Sequence, residues 1–280
     1  REQEFKNKHK VLFDFLFPHK AWLSWDLPTL VYNMVREGYT RKFTFNDVLE
    51  SAKCAADALL MDLTCLVQLP GTRKTWVIIL QSFKHGTGKS GFLTAVLRGL
   101  MKKDFSVLSS INQLVGAFDP LDPQTLACLI DDAIFTKKNL ERFKPQVTNK
   151  ELASNKKYEN VVMKHNVVDW YATTNTEISE ILFHPDQYRR WILFIVNDLY
   201  MHNEDLIARL MTFAEDEMTH RALFKSLRNV DMKKKGWIHE NKAAVTKMSN
   251  ILREASRLFP AVVKQFENLR KTNTEEIWRF

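Results

Sequence analysis

The sequence predicts an α/β fold with a mostly parallel sheet, flanked by helical N- and C-terminal regions. Three observations lead there. Five short apolar runs rich in β-branched and aromatic residues fall at 75–81, 105–109, 126–131, 168–174 and 191–196. Stretches with apolar residues at helical spacing separate them, and that alternation favours parallel strands covered on both faces. The segments up to residue 70 and from residue 199 carry mainly helical periodicity.

Three regions follow: 1–70, 71–198 and 199–280. In the first, "TFNDVLESAKCAADALLMDLTCLV" is one long amphipathic helix, with Thr44 or Asn46 placed to cap it. "LPGTRK" at 69–74 then turns the chain. The second region opens with the strand "TWVIILQ" and holds all five strand candidates. In the third, "NEDLIARLMTFAEDEMTHRALFKSLRNV" reads as one helix and "NKAAVTKMSNILREASRLF" as another, joined by a loop at "DMKKKGW". The sequence has no internal repeat and no low-complexity tract.

A chain of 280 residues is long enough for one large or two modest cores. Its net charge of +8 suits an anionic partner such as nucleic acid. No apolar run is long enough to span a bilayer. The opening "REQEFKNKHK" has no secretory character, so an intracellular setting is expected. The sequence does not begin with Met, and a longer parent chain is expected. Cys54, Cys65 and Cys128 form no paired framework and no cluster with zinc-ligand spacing, so buried reduced thiols are expected.

The chemistry centres on "FKHGTGKSGF" at 83–92, between a strand and a helix. Phosphate needs converging backbone N–H groups and positive charge. Gly86 and Gly88 let the loop turn tightly around Thr87, and the helix starting near Lys89 aims its positive end at the anion. Lys89 can reach the β- and γ-phosphates of a nucleotide, and Ser90 can place its hydroxyl on Mg²⁺. The usual pattern opens with a glycine where this chain has Phe83, so a modified loop is expected.

A nucleotide–Mg²⁺ site also needs carboxylates at a neighbouring strand end. "TLACLIDD" supplies Asp131 for the metal shell, through water, and Asp132 to orient or activate the attacking water. "VVDWYATTN" ends in Asn175, which can hold that water or sense the γ-phosphate; its alternative is to cap a helix at "NTEISEIL". "HPDQYRRWILFIV" carries Arg189 and Arg190, either of which could reach a neighbouring subunit's γ-phosphate. Adjacent residues on an extended segment point opposite ways, so one faces the nucleotide, with Arg190 preferred; a solvated pair is the alternative.

Between Asp132 and Asn175 lie Lys137, Lys138, Lys144, Lys150, Lys156, Lys157 and Lys164, interleaved with Tyr158 and His165. Lysines bind a phosphate backbone and an aromatic ring stacks on a base. "ELASNKKYENVV" can form a hairpin with residues 155–157 near its tip. Lys150, Lys156, Lys157, Tyr158 and Lys164 are the candidate nucleic-acid contacts; a solvated charged surface is the alternative.

"HGTGKS", "CLIDD", "FKPQVTNKELASNKKYEN" and "YATTN" followed by "DQYRRW" occur in this order. The set resembles the superfamily-three helicases, and most narrowly the helicase half of the primase-helicases of poxvirus-like viruses, phages and mobile elements. The resemblance covers about residues 75–198. It implies an AAA+-like P-loop ATPase core that assembles as a ring, usually a hexamer, with ATP at subunit interfaces. It also implies a pore hairpin gripping single-stranded DNA through Lys156 or Lys157, Asn175 as the sensor asparagine, and an arginine of "YRRW" as a finger acting in trans. The function expected is ATP-driven translocation on single-stranded DNA, in preference to RNA, during replication. The alternatives are a viral RNA helicase and an ATP-switched assembly or loading module that does not unwind.

Overall fold

The computed structural model describes residues 45–82, 84–115, 119–156, 158, 160–176, 190–196, 201, 204, 208, 212 and 215–238. Thr44, Phe83, Lys157, Arg189 and the helix expected from Asn241 lie outside this description, and Asn46, the other cap candidate, falls within the first helix and not at its cap.

The helix α1 (Phe45–Gln68) leads into the strand β1 (Val77–Gln81). Leu69 to Thr72 make the turn between them, closed by a 3.1 Å hydrogen bond from Thr72 N to Leu69 O. Then follow α2 (Lys89–Met101), β2 (Phe105–Leu108), β3 (Ala127–Ile130) and α3 (Lys137–Thr148). A hairpin comes next, β4 (Glu151–Ser154) and β5 (Val162–His165), before β6 (Asp169–Thr174), β7 (Trp191–Ile195) and α4 (Glu217–Arg228). β1, β2, β3, β6 and β7 form one sheet in the order β2-β3-β6-β1-β7, and every pairing is parallel. All five lie at the expected strand positions. Among the described residues no helix is long and apolar enough to cross a membrane.

Alternation along the strands divides the core into two layers. Ile78, Leu80, Ala127, Leu129, Tyr171, Ile192 and Phe194 face α1, α2 and α4. Val77, Ile79, Cys128, Ile130, Trp170, Ala172, Trp191 and Leu193 face α3. The last turns of α1, from Ala58 to Val67, are buried nearly all round and belong to the first layer. In the second, Val77 pairs with both Trp170 and Trp191. Phe143 of α3 packs edge-on against Trp170 at 5.2 Å and stacks on Trp191 at 5.7 Å. Truncating it to alanine would cost about 3–5 kcal/mol. Cys65 and Cys128 are free and buried; burial pushes the Cys65 thiol up to about 12 and the Cys128 thiol higher still.

A buried ionic cluster ties α1 to the amino ends of β1 and β6. Lys74 Nζ lies 3.0 Å from Asp62 Oδ1 and 2.7 Å from Asp169 Oδ2. Asp62 also accepts from Trp76 Nε1 at 2.8 Å and Tyr171 OH at 2.7 Å. Burial would lower the Lys74 ammonium, but Asp169 and Asp62 outweigh it and raise it above the ordinary lysine value. One ammonium cannot balance two buried carboxylates. Asp62 is fully hydrogen-bonded, whereas Asp169 Oδ1 has no partner among the described residues, so the residual proton belongs on Asp169. Burial raises the Asp169 carboxyl to about 7, with Lys74 opposing and Asp62 adding to the rise.

The segment expected as one helix from Asn203 is interrupted at Asp216, whose backbone is extended. Its carboxylate accepts from Met218 N at 3.1 Å and from the Thr219 hydroxyl, so it caps α4. A side chain able to satisfy orphan amides competes with helix continuation. α4 then buries Thr219, Leu223 and Leu227 on one stripe against α1 and α2.

Candidate nucleotide site

Alternation also selects the polar residues that meet at the carboxyl ends of the strands. Tyr171 faces the α2 layer, and Thr173 and Asn175 follow at two-residue steps. Leu129 faces it on β3, with Asp131 next in phase; Leu80 faces it on β1, with Ser82 next. α2 begins between these tips. Ligands of open parallel sheets bind in this position.

The loop reaches α2 through two left-handed glycines, Gly86 at φ 78° and Gly88 at φ 81°, a conformation that a Cβ disfavours. Gly88 is the N-cap residue and brings no side-chain acceptor to the first-turn amides. Thr87 is turned inward, its hydroxyl donating to Ser82 Oγ at 3.1 Å. Lys89 is only 5% exposed, and its ammonium donates to Asn175 Oδ1. Burial holds Lys89 below the ordinary lysine value, with Asp132 and Asp131 opposing that shift.

Asn175 joins three segments. Besides accepting from Lys89, its amide nitrogen donates to Asp132 Oδ1 at 2.8 Å and lies 3.0 Å from His85 Nδ1. Thr173 makes a second junction. Its hydroxyl accepts from Asp132 N at 2.9 Å and donates to Asp131 Oδ1 at 2.7 Å. Its single proton is thereby committed, so Ser90 Oγ, 3.2 Å away, is the donor in their contact. Ala133 N donates to Thr173 O at 2.7 Å, pinning the acidic turn to β6. Asp132 sits at φ 49°, a region few non-glycine residues occupy, which redirects its carboxylate toward Asn175.

The structure therefore brings Lys89, Ser90, Asp131, Asp132 and Asn175 together. Sequence reading missed Thr173, Ser82 and His85. The available signal was the two-residue step from Asn175 to Thr173.

Arg190 lies elsewhere. Its carbonyl accepts from Val77 N at 2.7 Å, at the amino end of β1. Five strand residues, roughly 17 Å, separate that end from the loop. Arg190 is thus remote from the Lys89 of its own chain.

The hairpin forms as expected, with Glu151 opposite His165 and Ser154 opposite Val162. It leaves the body at the amino end of β6, the end opposite Asn175. Asp119 braces it, accepting from Ser154 Oγ at 2.9 Å and pairing with Lys164, while its amide donates to Asn155 O at 2.8 Å. Burial would raise the Asp119 carboxyl, but Lys164, the Leu121 amide and Ser154 outweigh it and hold it low. Lys164 is therefore engaged within the protein. Lys150 is exposed, Lys156 half-buried, and Tyr158 is 92% exposed beyond β4. Val161, Val162 and Met163 are exposed beside it.

The fold and the loop define an α/β domain with a P-loop-like core. A family model described as "Family of unknown function (DUF5906)" matches residues 80–190, a span that contains every candidate site residue named above. No curated protein matches the chain. The chain is similar to the solved apo structure of "NrS-1 C terminal region (305-718)", with 17% identity and a TM-score of 0.55, over 82% of this chain and 52% of that one. An A-form apo structure of the NrS-1 C-terminal region has 13% identity and a TM-score of 0.46, over 87% and 67% of the two chains. An A-form structure of its 305–718 segment has 18% identity and a TM-score of 0.46, over 73% and 52%. The first likeness is one of fold, and the chain spans about half the length of that structure.

Proposed function

We propose that this chain is the ATP-hydrolysing core of a ring-forming helicase or translocase acting on single-stranded nucleic acid, DNA in preference to RNA, in replication. One observation carries the reading: Lys89, Ser90, Asp131, Asp132 and Asn175, from three separate segments, are connected by hydrogen bonds at the mouth of one helix. The sequence resemblance to helicase parts of primase-helicases and the shared fold support it.

ATP with Mg²⁺ would supply the phosphoanhydride bond to be broken and the charge that joins the phosphates to the protein. The protein's part follows from its own groups. Amides from Gly86 to Ser90 would donate to the phosphates, and Lys89 would exchange Asn175 for a phosphate oxygen. Ser90 and Asp131, both hard oxygen donors held through Thr173, fit a hard divalent cation, Asp131 through water. Asp132 accepts a proton from the attacking water, and Asn175 fixes its direction. Arg190 is too far to act in its own site; as the resemblance implies, it or Arg189 would be the finger that reaches a second copy in a ring, usually a hexamer.

On the nucleic-acid side, Lys150, Lys156 and Lys157 present charge and Tyr158 a stacking face. Lys164 braces the hairpin through Asp119. β6 joins the two activities, with the hairpin at one end and Asn175 at the other. The test is ATP turnover with and without single-stranded DNA or RNA, in the wild type and in Lys150→Ala/Lys156→Ala. DNA is expected to raise turnover, and the double variant to lose most of that rise. Stimulation by RNA alone would reassign the substrate. Turnover unaffected by either polymer would favour an ATP-switched assembly module and overturn the translocase reading.

A further inference from the structure

The most informative group outside the roles above is His85, an exposed imidazole in the phosphate loop. Its Nδ1 lies 3.0 Å from Asn175 Nδ2. Which of the two atoms donates follows from the rest of the cluster. The Asn175 oxygen receives the Lys89 ammonium, and Ser82 Oγ stands 3.2 Å from the same oxygen. The Asn175 nitrogen faces a carboxylate oxygen of Asp132 at 2.8 Å. Flipping the amide would set NH₂ against an ammonium and a carbonyl against a carboxylate, losing both bonds. The amide is therefore fixed with its nitrogen toward His85. An N–H donor demands an acceptor, so His85 Nδ1 carries no proton and the neutral ring keeps its proton on Nε2.

We propose that His85 is a positioning residue for Asn175: with Asp132 it holds the amide nitrogen on two acceptors and so aims the amide oxygen at Lys89. This inference rests on the ATPase reading of the site. Asn175 carries its two N–H groups in a fixed plane. One is taken by Asp132 and the other by His85, which leaves the oxygen no freedom to rotate away from the lysine. Without His85 the second N–H has no protein acceptor among the described contacts of Asn175, and the amide can swing about its side-chain torsion.

Two measurements test this, one of them independent of nucleotide. Ring-¹⁵N NMR of nucleotide-free protein, at about pH 8.5 where an ordinary imidazole is neutral, is expected to show His85 as the Nε2–H tautomer. In Asn175→Ala, with the fold checked by circular dichroism, the signal should move toward a tautomer mixture. An Nδ1–H form in the wild type, or an identical tautomer signal in Asn175→Ala, overturns the proposal. In ATP turnover, His85→Ala is expected to lower kcat about fivefold with KM for ATP unchanged, the worth of one neutral hydrogen bond. His85→Asn, whose side-chain oxygen can stand where Nδ1 stood, should recover most of the loss, and His85→Gln should not. In an Asn175→Ala background His85→Ala should have no further effect. A loss confined to KM, or an equal loss in that background, contradicts positioning. If the wild type does not hydrolyse ATP, the ATPase reading falls and the tautomer measurement alone decides the geometry.

Discussion

Replacing Thr173 by valine deletes one oxygen and leaves the shape nearly unchanged, so it isolates what the hydroxyl does. Thr173 is fully buried. Its Oγ1 accepts from Asp132 N at 2.9 Å, donates to Asp131 Oδ1 at 2.7 Å and stands 3.2 Å from Ser90 Oγ. A buried N–H left without an acceptor costs about 1–3 kcal/mol, and a hydrogen bond to a charged group contributes about 1.5–3 kcal/mol. Asp131 is half-buried and water can replace part of its loss. The expected fall in stability is therefore about 2–4 kcal/mol, read from urea unfolding. The effect on turnover comes from the loosened acidic turn: roughly 1.4–2.7 kcal/mol of lost positioning would lower kcat about 10- to 100-fold. Thr173→Ser keeps the hydroxyl and should retain most of the turnover. A folded Thr173→Val protein with kcat within about twofold of wild type, too small a change for the loss of such a bond, would refute the reasoning. So would a serine variant as impaired as the valine one.

Three further outcomes are expected. Asp169 has its carboxyl raised from 3.8 to about 7, so the stability it contributes is full below its unfolded value, falls as pH rises between the two values and is gone above about 7; Asp169→Asn should flatten the fall in urea midpoint across about pH 4–7, and an unchanged slope would contradict the buried-proton account. A Cβ at Gly99 would stand 2.4 Å from His220 Cδ2 and 2.7 Å from its Cγ; the helix-propensity gain of about 1 kcal/mol is outweighed by overpacking of about 1–3 kcal/mol, so Gly99→Ala should lower Tm, and a higher Tm would show that α2 and α4 are not packed this way. Asp119→Asn leaves Lys164 without its carboxylate and should speed proteolytic nicking between residues 155 and 161; equal rates would mean that Asp119 does not brace the hairpin.

Much of this was legible because period and chemistry agree. The runs ending in Gln81, Ile130 and Thr174 are buried strands whose next polar residues form the site, and the hairpin follows from the turn-forming residues after Ser154. Strand order was not legible, because it depends on which parallel neighbours pack, as when Val77 lies between Trp170 and Trp191. The parallel run of β7 beside β1 sets Arg190 at the amino end of the strands, away from Lys89. Thr173 was overlooked because threonine is an ordinary strand residue, and only the contacts across β3 and α2 give its hydroxyl three partners. The pairing of Lys74 with Asp62 and Asp169 joins residues apart in sequence, and only the single aspartates within two apolar stretches hinted at it. Asp216 shows the reverse case: a local cap interrupts a segment whose periodicity continues through it.

The central claim is that Lys89 and the acids facing it hydrolyse ATP. Phosphate release from ATP with Mg²⁺, measured for the wild type and for Lys89→Ala at matched circular dichroism, tests it most directly. The account predicts steady turnover in the wild type and background release in the variant. Wild-type protein that releases no phosphate with any polynucleotide present, or a variant that matches the wild-type rate, would contradict it.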